Sequence, residues 1–319
     1  MITVYRLAEN QLKIENLSLA DTLPGDALWL DVVEPDDQER KWLEQYYSAA
    51  VPGREALKEL ESTSRFYQDG DGMHIHSFFP HRQSKDIRLT SVSFNIRPHL
   101  LITLRDDDVG LFRLVRHQFK RNKLQVDSPM EIFQELFTAK IDYLADMLED
   151  VYSMLEELSQ KTLREDANAD ERDDILRTIT IQEDINDKIR LCLLDTQRSI
   201  RYLMRSRSFQ LSETHQRNML NMLRDIESLS PHTQFLFGKM SFLLDAIMGF
   251  ISHEQNNVNK IFSWIATMFL PPTLIGSIYG MNFKSIPEIN WEYGYFFALT
   301  LMVLSAVIPY IYFKRKGWL

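Results

Sequence analysis

Residues 261–313 read IFSWIATMFLPPTLIGSIY, GMNFKSIPEINWE and YGYFFALTLMVLSAVIPYIYF in succession, and the chemistry of these three pieces decides the fold. The first piece, 261–279, is 19 residues without Asp, Glu, Lys, Arg or His, and the last, 293–313, is 21. About 20 apolar residues in a helix cover the roughly 30 Å of bilayer hydrocarbon. Two such runs joined by the 13 residues 280–292 read as a hairpin of transmembrane helices.

The charges flanking this hairpin are asymmetric. Lys260 precedes the first run and Lys314, Arg315 and Lys316 follow the second, whereas the connecting loop holds only Lys284. Basic residues favour the cytoplasmic side, so both termini are expected inside and the 280–292 loop outside. A plain membrane anchor with a basic stop signal would share this pattern. Upstream, MITVYRLAEN has neither a basic n-region nor an apolar h-region, so no signal peptide is expected and the first 255 residues are placed in the cytoplasm.

Composition narrows the partners. The 319 residues carry 36 basic and 45 acidic side chains, a net charge of −9. That balance argues against nucleic acid and suits cations. Cys192 is the single cysteine, which leaves no intrachain disulfide and no Cys-based zinc site. With 11 glycines, no phosphate-cradling loop and no nucleophile motif, neither a nucleotide site nor an enzyme is expected.

Working outward, residues 1–125 alternate short strands and helices. Strands are predicted at 3–7, 12–14, 28–33, 65–68, 73–79, 89–97 and 100–104, with Asp69-Gly70-Asp71-Gly72 as a hairpin turn. Glu34-Pro35-Asp36-Asp37 opens a helix through Trp42, Leu43 and Tyr46, and a second helix is predicted at 54–61. This makes an α/β domain on a mixed or mostly antiparallel sheet. His74 and His76 share a strand face. They read as a metal pair or, more simply, as ordinary sheet-surface histidines, since no Cys is near to complete a ligand set.

Residues 126–230 read as helices. Asp127-Ser128-Pro129-Met130-Glu131 is a capping box with Pro at the first helical position. Ile141, Leu144, Leu148, Val151, Leu155 and Leu158 then recur at steps of 3 or 4, a heptad seam that packs lengthwise on another helix or on the core. The partner is a helix over 174–207 bearing Ile175, Ile179, Ile185, Ile189, Cys192, Thr196, Ile200 and Leu203. Glu165, Asp166, Asp170, Glu171, Asp173 and Asp174 cluster at the tip of this hairpin, either a solvated turn or an ion-attracting one. A third helix over 215–229 is predicted to end before Ser230-Pro231. A stalk over 231–279, apolar at Phe235, Phe242, Ala246, Gly249 and Phe250, then runs into the first span.

Tyr279-Gly280-Met281-Asn282-Phe283, set between two C-terminal spans, resembles the CorA magnesium transporters. The tail YFKRKGWL at 312–319, LDVVEPDD at 30–37, HIHSFF at 74–79 and LCLLDTQR at 191–198 are similar to the enterobacterial branch, so the likeness covers nearly the whole chain. The resemblance implies an α+β cytoplasmic domain with a long helical hairpin, a stalk helix and two C-terminal transmembrane helices. It implies a homopentamer in the bilayer of the bacterial inner membrane, with the GMN loop periplasmic and the basic tail, 314–319, cytoplasmic. The activity implied is influx of Mg²⁺, and also of Co²⁺ and Ni²⁺, driven by membrane potential.

Family pattern carried onto this chain places Asn256, Asn259, Ser263, Ala266, Leu270, Thr273 and Ser277 along the pore, with Gly280, Met281 and Asn282 as selectivity filter. Asn282 would meet the hydrated ion in the outer sphere, and Leu270 would form an apolar constriction. Ser and Thr on this face have an alternative, bonding back to their own helix carbonyls. Asp245 falls at the position of a regulatory Mg²⁺-sensing carboxylate, or is simply solvated. Where the family has F-E-x-M-P-E after GMN, this chain has Phe283-Lys284-Ser285-Ile286-Pro287-Glu288. With Lys284, Glu288 and Glu292 the loop carries −1, which weakens its pull on cations. Two alternatives stay open: a zinc transporter of the same superfamily, disfavoured by Met281, and a membrane-anchored scaffold.

Overall fold

The computed structural model describes residues 1–8, 11–18, 22–46, 65–83, 86–120, 126–162, 169–206, 211–281 and 291–316. The helix predicted at 54–61 lies outside them. The chain divides into two compact units, Met1–Leu244 and Asp245–Leu319.

The first unit is built on a seven-stranded sheet. Its strands are β1 (Ile2–Ala8), β2 (Gln11–Asn16), β3 (Ala27–Val33), β4 (Phe66–Asp69), β5 (Gly72–Gln83), β6 (Asp86–Ile96) and β7 (Leu101–Arg105), in the order β2-β1-β3-β7-β6-β5-β4. β3 pairs parallel with β7, Leu30 beside Ile102, and the other pairings are antiparallel, so the sheet is mixed as expected. At the β4–β5 turn Gly72 has φ +135°, and a Cβ there would collide with the Ile96 carbonyl, so only glycine fits.

Alternation along the strands gives the sheet two apolar faces. On one, Leu30, Val32, Ile102 and Leu104 pack under Trp42 and Leu43 of helix α1 (Asp37–Glu44). Asp36 caps that helix by accepting from the backbone N–H of Gln38 and Glu39. On the other, Phe79 and Phe94 meet Phe112 of α2 (Gly110–Lys120) and Phe137 of α3 (Pro129–Thr162), with ring centroids 5.4–6.4 Å apart.

At the start of α3, Ser128 Oγ accepts from the Glu131 N–H, and the Glu131 carboxylate accepts from the Asp127 N–H rather than from the cap residue itself. The predicted seam of α3 is buried throughout and packs on α4 (Ala169–Arg205). On α4, Ile185 is half-buried and its neighbour Asn186 takes the fully buried place, donating to the Thr233 carbonyl at 3.0 Å.

Two expectations change. Ser230-Pro231 does not end a helix: α5 runs unbroken over Glu213–Tyr279. Met219, Met222, Ile226, Thr233, Leu236, Met240 and Leu243 form one buried stripe on both sides of the proline. Burial along that stripe outweighs the single hydrogen bond that Pro231 removes. The histidines are not on an exposed surface either. His74 and His76 are 0% and 2% exposed. His74 stacks on Tyr67 at 4.3 Å and lies 3.0 Å from the Asp69 carboxylate.

Beneath the sheet lies a charge cluster that ties three elements together. The Asp195 carboxylate on α4 takes Arg65 at 2.9 Å, the Ser77 hydroxyl at 2.6 Å and the Phe78 N–H at 2.8 Å. Lys140 of α3, fully buried, donates to Ser77 Oγ at 2.9 Å and lies 3.6 Å from Asp195. Burial lowers the Lys140 pKa, with Asp195 opposing, and pushes the neighbouring Cys192 thiol up to about 12, so that cysteine is inert.

Candidate functional site: the membrane hairpin

The second unit holds the last part of α5 and α6 (Gly294–Arg315), both long and apolar enough to cross a membrane. The apolar window of α5 is 22% buried and that of α6 is 6% buried. Helices so apolar and so exposed are not soluble-core helices, because water would surround side chains such as Phe269, Leu270 and Phe296.

Exposure along α5 separates two faces. Trp264, Met268, Pro271, Pro272, Ile275, Gly276 and Tyr279 are half-buried. On α6 the sheltered positions are Gly294, Ala298, Met302, Ser305, Ala306, Pro309 and Phe313. The two sets meet where a Cβ on Gly276 would lie 3.3 Å from the Met302 methyl. At about 100° per residue, the mean direction of the sheltered α5 set is roughly 180° from that of Ser263, Ala266, Leu270, Thr273 and Ser277. All five of these, with Asn256 and Asn259 above them, are exposed. The sequence-predicted pore stripe is therefore one continuous face, turned away from α6.

Two hydroxyls of the stripe bond back to their own helix. Ser263 Oγ donates to the Asn259 carbonyl at 2.8 Å and Thr273 Oγ1 to the Phe269 carbonyl at 2.7 Å. Each hydroxyl proton is thus committed to the helix, while the oxygen keeps lone pairs that can accept. α5 stays helical through Pro271-Pro272 and closes at Gly280, whose N–H donates to the Gly276 carbonyl at 3.0 Å. A Cβ on Gly280 would stand 3.1 Å from that carbonyl oxygen, so a side chain would crowd the turn. Met281 is exposed, and its N–H donates to the Ile278 carbonyl at 3.3 Å. Asn282, Lys284 and Glu288 lie outside the described residues, and Glu292 is exposed.

Asp245 is exposed on α5 and makes no ion pair among the described residues. No group of three or more His, Cys, Asp or Glu able to hold a metal occurs among the described residues. At the hairpin tip, Asp170, Glu171, Asp173 and Asp174 are exposed on the first turns of α4, while Glu165 and Asp166 fall outside the described residues.

Sequence reasoning passed over the aromatic collars. Trp291 contacts Tyr293 and Phe297 at 6.4 and 5.8 Å at one end of α6. At the other end Tyr310 and Tyr312 lie under Lys314 and Lys316, at 5.9 and 5.4 Å. Trp and Tyr at both ends of an apolar helix are the pattern of two membrane–water interfaces, and they were readable from the spacing alone.

An α+β domain followed by two apolar C-terminal helices defines a membrane protein of the two-span type. The family model described as CorA-like Mg²⁺ transporter protein matches residues 24–315. A protein of Yersinia pseudotuberculosis called magnesium transport protein CorA is 43% identical over 320 residues, covering 100% of both chains. In fold, the chain is similar to the CorA magnesium transporter of Methanocaldococcus jannaschii, with TM-score 0.78, 19% identity and coverage of 100% and 99%. It is also similar to the ZntB cytoplasmic domain of Vibrio parahaemolyticus, with TM-score 0.61, 15% identity and coverage of 80% and 97%. The chain belongs to the CorA family. The ZntB likeness is one of fold, so it lends no weight to zinc as cargo.

Proposed function

We propose that this protein carries Mg²⁺ through a membrane pore lined by α5, and the observation that carries the reading is the exposed stripe Asn256–Asn259–Ser263–Ala266–Leu270–Thr273–Ser277 on the side of α5 opposite α6. Full-length identity to magnesium transport proteins supports the cargo. Two helices cannot enclose a water path, so several copies must surround one axis, and a homopentamer with α5 innermost satisfies this. Large apolar side chains on α5, Phe235 at 57% and Phe242 at 64% exposed, support burial against further copies.

Magnesium sheds its water slowly and prefers octahedral oxygen coordination. A hydrated ion presents water protons outward, so the lining it needs is one of acceptors. Ser263 and Thr273, with their own protons tied to the helix, offer only acceptor lone pairs. Asn282, just past the Gly280 turn, would add a ring of amide oxygens without a fixed charge to trap the ion, with Gly280 and Met281 shaping the filter. Leu270 on the same stripe would close the pore by dewetting. A divalent cation gains about 4.6 kcal/mol per 100 mV on moving inward, so the membrane potential suffices to drive influx without a nucleotide. Co²⁺ and Ni²⁺, of similar size and charge, would follow the same route. Asp245, repeated around the axis, would bind cytoplasmic Mg²⁺ and favour a closed state.

The deciding experiment replaces Asn282 with Ala in the full chain reconstituted into liposomes. Oligomer size should be unchanged, because a loop amide contributes roughly 0.5 kcal/mol or less to stability. Mg²⁺ uptake, followed with an internal fluorescent indicator, should be lost. An intact oligomer conducting Mg²⁺ at the parental rate would remove Asn282 from the filter.

A further inference from the structure

The last two turns of α6 bring cations and phenol rings together. Taking 100° per residue, the sheltered side of α6 centres on Met302 and Pro309, and Ile311 points roughly opposite. Tyr310, Lys314 and Arg315 flank Ile311 on that outward side and all are exposed. Lys314 folds back so that Nζ lies 5.9 Å from the Tyr310 ring centroid, which brings its ammonium to the depth of a ring suited to the membrane–water boundary. Tyr312 and Lys316 make the same pairing at 5.4 Å, but on the side nearer the α5 contact face. Among the described residues no carboxylate pairs with Lys314 or Arg315. In a chain of net charge −9, two cations and a phenol thus share one outward patch at the end of an apolar helix.

From this arrangement we infer that Tyr310, Lys314 and Arg315 form a binding site for the headgroup of an anionic phospholipid. The charges complement a phosphodiester, Arg315 offers it a two-pronged donor, Lys314 a point charge and the Tyr310 hydroxyl a third donor. Ile311, exposed between them, is apolar and suits the upper acyl chain. A zwitterionic headgroup brings its own cation and gains less from the patch. The inference rests on α6 being a membrane span.

The test incorporates the full-length protein into nanodiscs of equal parts phosphatidylcholine and phosphatidylglycerol, isolates it in detergent, and measures retained lipid by native mass spectrometry. The parent should retain phosphatidylglycerol over phosphatidylcholine at a ratio of at least about 10 to 1, as two interfacial charges allow. Lys314→Gln/Arg315→Gln should abolish the enrichment, Lys316→Gln should leave most of it, and excess inorganic phosphate should not displace the lipid. No enrichment in the parent, unchanged enrichment in the double variant, equal loss in Lys316→Gln, or displacement by inorganic phosphate would each overturn the site. If the double variant does not assemble, Tyr310→Phe decides, because it must lower the enrichment while Lys316→Gln does not. A protein that fails to enter the nanodisc at all refutes the membrane span instead, so the two failures are distinct.

Discussion

His76 lies on β5 with 2% of its surface exposed and, among the described residues, no hydrogen-bond partner for either ring nitrogen. Burial, reinforced by the nearby Arg65 guanidinium and by His74, pushes its pKa down to about 4. The folded protein therefore holds His76 neutral, whereas the unfolded chain protonates it near the ordinary value of about 6.5. Stability from this residue is complete above about pH 6.5 and is lost as pH falls towards 4. The parent should lose about 2 kcal/mol from His76 alone between pH 7.5 and pH 5, and His76→Phe should flatten that part of the profile. Unfolding midpoints in detergent across this range test it, and an equally steep profile in the variant would show that other groups dominate. His74 is shifted downward too, by burial, with Asp69 opposing, so a shallower slope should persist.

Among the elements, α5 carries the main departure from local rules. A proline in mid-helix removes a backbone donor and costs about 3 kcal/mol in an isolated helix. Here Ser228, Ser230 and Thr233 all donate to α5 carbonyls around it, and Asn186 of α4 reaches the Thr233 carbonyl. The helix persists because Ile226, Leu236 and Met240 hold one buried stripe across the proline. Pro231→Ala should keep helix content and raise the unfolding midpoint, with a gain of about 1 kcal/mol or more. Leu236→Ala should cost about 2–5 kcal/mol. Circular dichroism and thermal melts compare the two; a stability loss in Pro231→Ala would mean that the proline itself shapes the packing.

At the scale of the whole molecule, the proposed regulation would act through contacts between copies. Asp245 is exposed, so removing its charge should leave folding within about 0.5 kcal/mol of the parent. If a ring of Asp245 side chains binds Mg²⁺ in the closed assembly, Asp245→Ala should shift inhibition of uptake to higher internal Mg²⁺ and spare maximal flux. Liposome uptake measured against internal Mg²⁺ tests this, and a superimposable inhibition curve would leave Asp245 as a solvated carboxylate.

The membrane hairpin, the strands and the α3–α4 seam were legible in the amino-acid sequence. Their signals are local: a run of 19 or 21 uncharged residues, period-2 alternation, and Leu or Ile at steps of 3 and 4. The proposed filter rests on a family motif alone, since one Asn has no periodicity to mark it. What the chain could not reveal by itself depends on partners far apart in sequence. Ser77 and Asp195 are 118 residues apart yet 2.6 Å apart in space, and Trp29 and Thr103, 74 apart, bond across the parallel β3–β7 pair. No local pattern marks Lys140 as buried, His76 as neutral or Pro231 as tolerated. By itself the sequence determined the strands, the α3–α4 pair and the two apolar spans, because backbone preference and hydropathy act within a few residues. Only the tertiary structure decided which charges are sealed beneath the sheet, which histidine is held uncharged, and which side of α5 stays free of α6, because burial is set by elements that the chain brings together only on folding.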